Sequence, residues 1–330
     1  MDLQRRGLRI GAAVIACAVL LRLADGGMGK LIRLLSDQRV MSAIFFLETG
    51  RVVRPVEELI QSEEVRPPAP PPPETVTPEP VLPVFAPTDA DLVEVNSVCG
   101  YDADLPALLQ QPLEWDLTRP EPTVLILHTH GTESYTKTEE YTESSAYRTL
   151  EEDYNVVSVG DRVAQLLEAG GVAVVHDRQM HDHPSYSASY NQARASMEDY
   201  LAQYPTIRLV LDLHRDSVAD SSGQQMRFTV QNGEQTVARL MMVVGTDASG
   251  LKHPHWPENM SLAVKLHAQL EKNLPGICRP ISFRSQRFNQ DLSSGALIVE
   301  VGSAGNTRQE ALLAAEQLAK AVLELSLGTG

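Results

Sequence analysis

From residue 123 onward, the apolar and polar positions follow two alternating rhythms. Continuous apolar runs predict strands buried on both faces: TVLILH at 123–128, IRLVLDLH at 207–214 and ALIVEVG at 296–302. A shorter run, VAVVH at 172–176, is of the same kind. Between these runs the spacing becomes helical. Val156, Val159, Val163, Leu166 and Leu167 predict a helix over 155–168, stopped by Gly170-Gly171. Residues 187–204, 259–274 and 309–325 read as three further helices. MRFTVQ at 226–231 and ARLMMVVG at 238–245, split by Asn232-Gly233, predict an inserted β-hairpin. Strands alternating with helices predict an α/β domain over 95–330, with a mostly parallel sheet flanked by helices. No internal repeat interrupts the pattern.

Ahead of this domain the pattern differs. Residues 8–21, LRIGAAVIACAVLL, are apolar, with Arg5 and Arg6 before them and Arg22 after. A full membrane span takes roughly 20 residues, which Leu23, Ala24 and a snorkelling Arg22 help to reach. Residues 1–27 are therefore expected to be an N-terminal membrane helix or a signal segment. Small residues at 16–18 and at Ala24 permit cleavage. The basic start favours a cytoplasmic N-terminus and an extracytoplasmic remainder under either reading. Residues 28–65 form a juxtamembrane region. Residues 66–94 read as a proline-rich linker, since ten of the chain's 21 prolines fall between 66 and 87. Proline fixes φ and lacks an amide donor, so this stretch is expected to be extended. At about 3.1 Å per residue, residues 66–87 would reach on the order of 70 Å, as a tether or as a spacer of untuned length.

Charge and cysteine content narrow the function classes. A net charge of −15 argues against nucleic acid as a partner, because surfaces that bind it are basic. Three cysteines without a CxxC pair argue against a thiolate zinc site. Cys99 and Cys278 could pair outside the cell, or could stand as small buried hydrophobes. No Gly-x-Ser-x-Gly elbow, phosphate-binding loop or dinucleotide fingerprint is present.

The chemistry gathers at strand ends. His130 lies just beyond the run 123–128, His214 ends the run 207–214, and Glu300 lies near the end of 296–302. In an open parallel sheet, ligands bind outside the carboxyl ends of strands. Glu133, three residues after His130, adds a carboxylate in a His-x-x-Glu turn. His130, Glu133 and His214 form a two-His, one-carboxylate set suited to a catalytic Zn2+ with one position open for water. Glu300 is then the expected catalytic proton carrier. Its apolar strand would raise its pKa into a useful range. Arg215 reads either as a salt-bridge partner of Asp216 or as a substrate-binding group for a carboxylate. His128 reads as a substitute ligand or a support for the site. His176, His181 and His183 read as part of a loop lining the cleft. Trp256 reads as an anchor for the helix after it, ahead of a stacking role.

Several motifs in one order resemble the family of stage II sporulation protein P. They are HTHGTESY (128–135), NVVSVGDRVAQLLEAGGVAVVHD (155–177), HDHPSYSASY (181–190), DLHRDS (212–217), KHPHWPENMSLA (252–263) and FNQDLSSGALIVEVGSAGNT (288–307). The resemblance runs from about 123 to 325, and the N-terminal layout fits as well. It implies a peptidoglycan hydrolase of endospore-forming bacteria, similar in fold to zinc-dependent N-acetylmuramoyl-L-alanine amidases. Such an enzyme removes stem peptides from glycan and cuts peptide cross-links. It acts during engulfment in the intermembrane space, with sporulation protein D, a lytic transglycosylase, and sporulation protein M. The amidase relatives' first His matches His130-Gly131, their later His matches His214, and their catalytic Glu matches Glu300. Their carboxylate ligand falls near Glu152, whereas the His-x-x-Glu spacing, shared with zinc carboxypeptidases, favours Glu133. A non-catalytic wall-binding scaffold and a zinc carboxypeptidase acting on stem peptides remain as alternative functions.

Overall fold

The computed structural model describes residues 85–113, 115–139, 141 and 146–327. The expected N-terminal membrane segment, the juxtamembrane region and residues 66–84 of the linker lie outside the described residues. Among the described residues, no helix is long and apolar enough to cross a membrane.

Seven strands form the main sheet. In chain order they are β1 (Val95–Ser97), β2 (Val124–Leu127), β3 (Val174–His176), β4 (Leu209–Asp216), β7 (Leu240–Val244), β8 (Ile281–Phe283) and β9 (Ala296–Ser303). Their spatial order is β1-β8-β7-β9-β4-β2-β3. Neighbours are parallel except β7 and β9, which run antiparallel and join two parallel blocks. The helices are α1 (Leu105–Gln110), α2 (Val156–Ala169), α3 (Ser189–Gln203), α4 (Trp256–Asn273) and α5 (Arg308–Leu327). The mixed α/β class and the mostly parallel sheet follow the expectation from the sequence. The Asn155 side chain caps α2 by accepting from the Val157 amide at 2.9 Å, at the start that its position predicts.

The two faces of the sheet are unequal, and this inequality creates the site. Leu209, Leu211 and Leu213 of β4 join a large core with α2, α4 and α5. Leu125, Leu127, Val210 and Ala296 face the other way and pack on Ala193 and Met197 of α3. Side chains alternate along a strand, so Asp212 and His214 continue the Val210 face. That face is apolar where α3 covers it and becomes polar at the strand ends.

Two expectations are corrected, two short strands are added, and one open alternative is decided. The hairpin is β5 (Thr229–Asn232) with β6 (Gln235–Ala238), whereas the second expected limb continues as β7 into the main sheet. Phe85, Ala90 and Val93 are buried in the main core, so residues 85–94 of the expected linker belong to the folded body. The three-residue strands β1 and β8 are too short to show a hydrophobic period. Cys99 and Cys278 are both free.

Gly302 explains the Glu-Val-Gly ending of β9. Register advances by two residues on β4 (His214 to Asp216) but by three on β9 (Glu300 to Ser303). The extra residue is a bulge, and Gly302 takes its positive φ of 70°. A Cβ there would meet Ala238 Cβ and Asn306 Oδ1 at 3.0 Å. Gly302→Ala is expected to destabilise the full chain by about 1–3 kcal/mol, read as a lower urea midpoint. An unchanged midpoint would remove the bulge from the account of the site.

Candidate active site

The site is built where β2, β4 and β9 end side by side. His214 and Glu300 are register partners on adjacent strands. His130 and Glu133 follow β2 in a tight turn, in which the Glu133 amide donates to the His130 carbonyl at 3.0 Å. The rings of His130 and His214 stand perpendicular, with centroids 5.2 Å apart. Four residues expected from the sequence, His130, Glu133, His214 and Glu300, therefore meet in one place.

His214 is buried between two carboxylates. Its Nδ1 lies 3.4 Å from Glu133 Oε2. Its Nε2 lies 2.9 Å from Asp212 Oδ1, an ion pair without the alignment of a hydrogen bond. Burial opposes a charge on the ring, but Asp212 and Glu133 outweigh it and hold the His214 pKa well above its ordinary value. His130 moves the other way. Burial, then the His214 charge, lowers it to about 4, so its ring is neutral at pH 7. Burial raises the Glu300 carboxyl well above the usual carboxylate range. Glu133 stays low despite its burial, because Arg215 and His214 stabilise its charge.

Supports surround these groups. Asp212 accepts from the Thr129 amide at 2.8 Å and from the Thr129 hydroxyl at 2.6 Å. Thr132 donates through its amide and its hydroxyl to Asp182, which also pairs with Arg148 at 2.5 Å. Beneath the turn, His128 Nδ1–H donates to the Leu213 carbonyl at 2.9 Å, and its Nε2 meets His176 Nε2 at 2.8 Å. His128 is fully buried and supports the backbone next to His214.

Arg215 has a different position from the substrate-binding one expected for it. It is 4% exposed. Its Nε donates to the Ser134 carbonyl at 2.8 Å and its Nη2 to the Tyr147 carbonyl at 2.7 Å. Its backbone amide and Nη1 point to Glu133 at 3.2 and 3.5 Å. The guanidinium anchors Glu133 and is shielded from a substrate carboxylate. Asp216 pairs with Arg279 at 2.7 Å. Glu152 is exposed and paired with Arg178. Trp256 packs between Tyr101 and Phe283, which is the anchoring position.

Sequence reasoning passed over Asp212, Tyr186 and Tyr190. Asp212 stands two residues before His214, and that alternation alone puts both on one strand face. Tyr186 stacks on His130 at 4.6 Å and Tyr190 meets its edge at 5.6 Å. No pattern in the sequence marked those tyrosines.

Among the described residues, no group of three or more His, Cys, Asp or Glu side chains is gathered so as to hold a metal ion as it stands. The parts nevertheless suit zinc. Two ligands each about 2.0–2.2 Å from a tetrahedral ion lie roughly 3.4 Å apart, and His214 Nδ1 and Glu133 Oε2 are 3.4 Å apart. The buried Nδ1 of His130 has no partner. Asp212 stands behind His214 as the carboxylate that commonly orients a metal-binding imidazole. Asp212→Asn is expected to weaken zinc binding about 10–100-fold, measured by competition with a chromogenic chelator. Wild-type affinity in that variant would leave Asp212 a purely structural residue.

Comparison with known proteins adds the following. Residues 74–323 match the family described as Stage II sporulation protein P. The chain is 27% identical over 244 residues to the Stage II sporulation protein P of Bacillus subtilis (strain 168). That match covers 68% of this chain and 58% of the relative, so the chain spans little more than half of the relative's length. Among solved structures, it is similar to the N-acetylmuramoyl-L-alanine amidase AmiC2 of Nostoc punctiforme, with 16% identity, 61% of this chain and 96% of that chain covered, and a TM-score of 0.37. It is also similar to the CwlD amidase from Clostridioides difficile in complex with the GerS lipoprotein, with 12% identity, 62% and 95% covered, and a TM-score of 0.38.

Proposed function

Because the chain belongs to the family of stage II sporulation protein P, we propose that it is a sporulation peptidoglycan hydrolase. The bond cut is the amide between the lactyl group of N-acetylmuramic acid and L-alanine, with peptide cross-links as a second target. The observation that carries this reading is the convergence of His130, Glu133, His214 and Glu300, with His130 Nδ1 and Glu300 Oε2 buried and unpartnered. Unpartnered buried polar atoms are costly, and they are kept where function requires them.

His130, Glu133 and His214 would hold a zinc ion, which when bound supplies Lewis acidity to the attacking water and the scissile carbonyl. The chain's own residues do the rest. Glu300 takes a proton from the water and returns it to the leaving amine nitrogen. Its high pKa means that it is protonated in the metal-free protein, and a divalent cation beside it favours the carboxylate that this role needs. Asp212 and Arg215 hold His214 and Glu133 in place. The polar turn 129–133 and the aromatic wall of Tyr186 and Tyr190 border the reacting bond.

The N-terminal segment would tether the domain outside the cytoplasm, in the intermembrane space during engulfment. Sporulation proteins D and M are the proposed partners there. A wall-binding scaffold would need no convergence of His130, Glu133, His214 and Glu300 at one sheet edge, which favours the hydrolase. The test is mass spectrometry of fragments released from purified peptidoglycan by the full chain with zinc. Free stem peptides beside bare glycan are expected. Single amino acids would indicate a carboxypeptidase, and no fragments at all would leave the scaffold.

A further inference from the structure

We propose that Tyr190 is a further catalytic residue, whose hydroxyl donates a hydrogen bond to the scissile carbonyl oxygen as negative charge builds on it. This rests on the hydrolase reading above. Tyr190 is the second residue of α3, the helix that covers the apolar half of the active-site face. Its ring is fixed on two sides. It meets the His130 ring edge to face at 5.6 Å and 88°, and it packs against Phe288 at 6.0 Å. Its backbone is tied down as well, since the Tyr190 carbonyl accepts from Asn289 Nδ2 at 2.8 Å. One turn later Arg194 pairs with Asp291 at 2.9 Å, so the start of α3 is clamped twice to the 288–291 segment.

The hydroxyl differs from that of the deeply buried Tyr135, which donates to the Val301 carbonyl at 3.1 Å. Among the described residues, nothing hydrogen-bonds to the Tyr190 hydroxyl. A rigid aromatic ring beside the His130 imidazole, with an unused donor, has the form of a preorganised oxyanion contact. A phenol is ordinarily neutral at pH 7, so its hydroxyl has a proton to donate to a developing oxyanion.

The step balances without any further reactant. The water oxygen bonds the carbonyl carbon while the C=O π pair moves onto oxygen, and the water's proton passes to Glu300. The C–N bond then breaks, the carbonyl re-forms, and Glu300 returns the proton to the departing amine. Tyr190 keeps its own proton throughout and strengthens its hydrogen bond as the oxyanion forms.

The test compares wild type with Tyr190→Phe as zinc-loaded full chains acting on purified peptidoglycan. The phenyl ring keeps the contacts with His130 and Phe288, so zinc content and melting temperature should match wild type. The kcat is expected to fall about 10²-fold with KM within twofold. A kcat within twofold of wild type overturns the proposal. So does a fall that follows lost zinc, because Tyr190 would then only position His130. If the wild type releases no fragments, the hydrolase reading fails and this inference fails with it. An active wild type beside an equally active Tyr190→Phe overturns Tyr190 alone.

Discussion

Glu300→Gln is expected to lower peptidoglycan hydrolysis by about 10³-fold while leaving zinc binding intact. The argument starts from the strand. Glu300 sits opposite His214 on the adjacent strand, and its Oε2 is buried without a partner. Burial raises its pKa, so the metal-free protein holds this carboxyl protonated near pH 7. Glutamine is a neutral isostere of that protonated acid, and the exchange should leave the fold and the melting temperature unchanged. The proton-carrying function is lost, because an amide neither accepts a water proton nor returns one to the amine. The readouts are release of stem peptides and zinc content on the same preparation. Wild-type release from a zinc-replete Glu300→Gln protein would remove Glu300 from the chemistry. Lost release together with lost zinc would instead recast Glu300 as a fourth ligand.

The parts of this architecture that were legible in the sequence share one physical property. The strands β2, β4 and β9 are central and buried on both faces, so they are written as unbroken apolar runs. The polar residues at or just beyond the ends of these runs, His130, His214 and Glu300, then stand out against that background. Helices α2, α4 and α5 bury wide stripes on the large core and announce themselves by period. What stayed hidden depended on contacts between distant segments. The edge strand β1 and its neighbour β8 hold three residues each, too few for a rhythm. The step from β6 to β7 turns on Arg239, whose amide bonds Phe228 and whose carbonyl bonds Gly302, pairings that no local pattern encodes. Arg215 shows the limit most sharply. Its neighbours in sequence, His214 and Asp216, suggested a cleft-facing cation. The opposite strand face instead turns it into the interior, where carbonyls at 134 and 147 and the Glu133 carboxylate consume it.

The division of labour between the two histidines gives the other large prediction. Both His130→Ala and His214→Ala are expected to lose zinc, but only the second should weaken the fold strongly. His214 is a buried cation between Asp212 and Glu133. Removing it leaves two buried carboxylates short of a counter-charge, a change that costs about 3–5 kcal/mol. Thr129 still bonds Asp212 and Arg215 still faces Glu133, which places the cost near the lower end, about 3 kcal/mol. His130 has the opposite character. It is neutral, its Nδ1 has no partner, and its contacts are rings. Its removal strands no charge and should cost roughly 1 kcal/mol. Zinc retained after dialysis and urea midpoints, measured on full-length variants, separate the two effects. A His130→Ala protein that holds zinc with wild-type affinity would exclude His130 as a ligand. Equal destabilisation by both variants would mean that the buried charge on His214 does not organise the site, and the electrostatic account of Glu133 and Asp212 would fall with it.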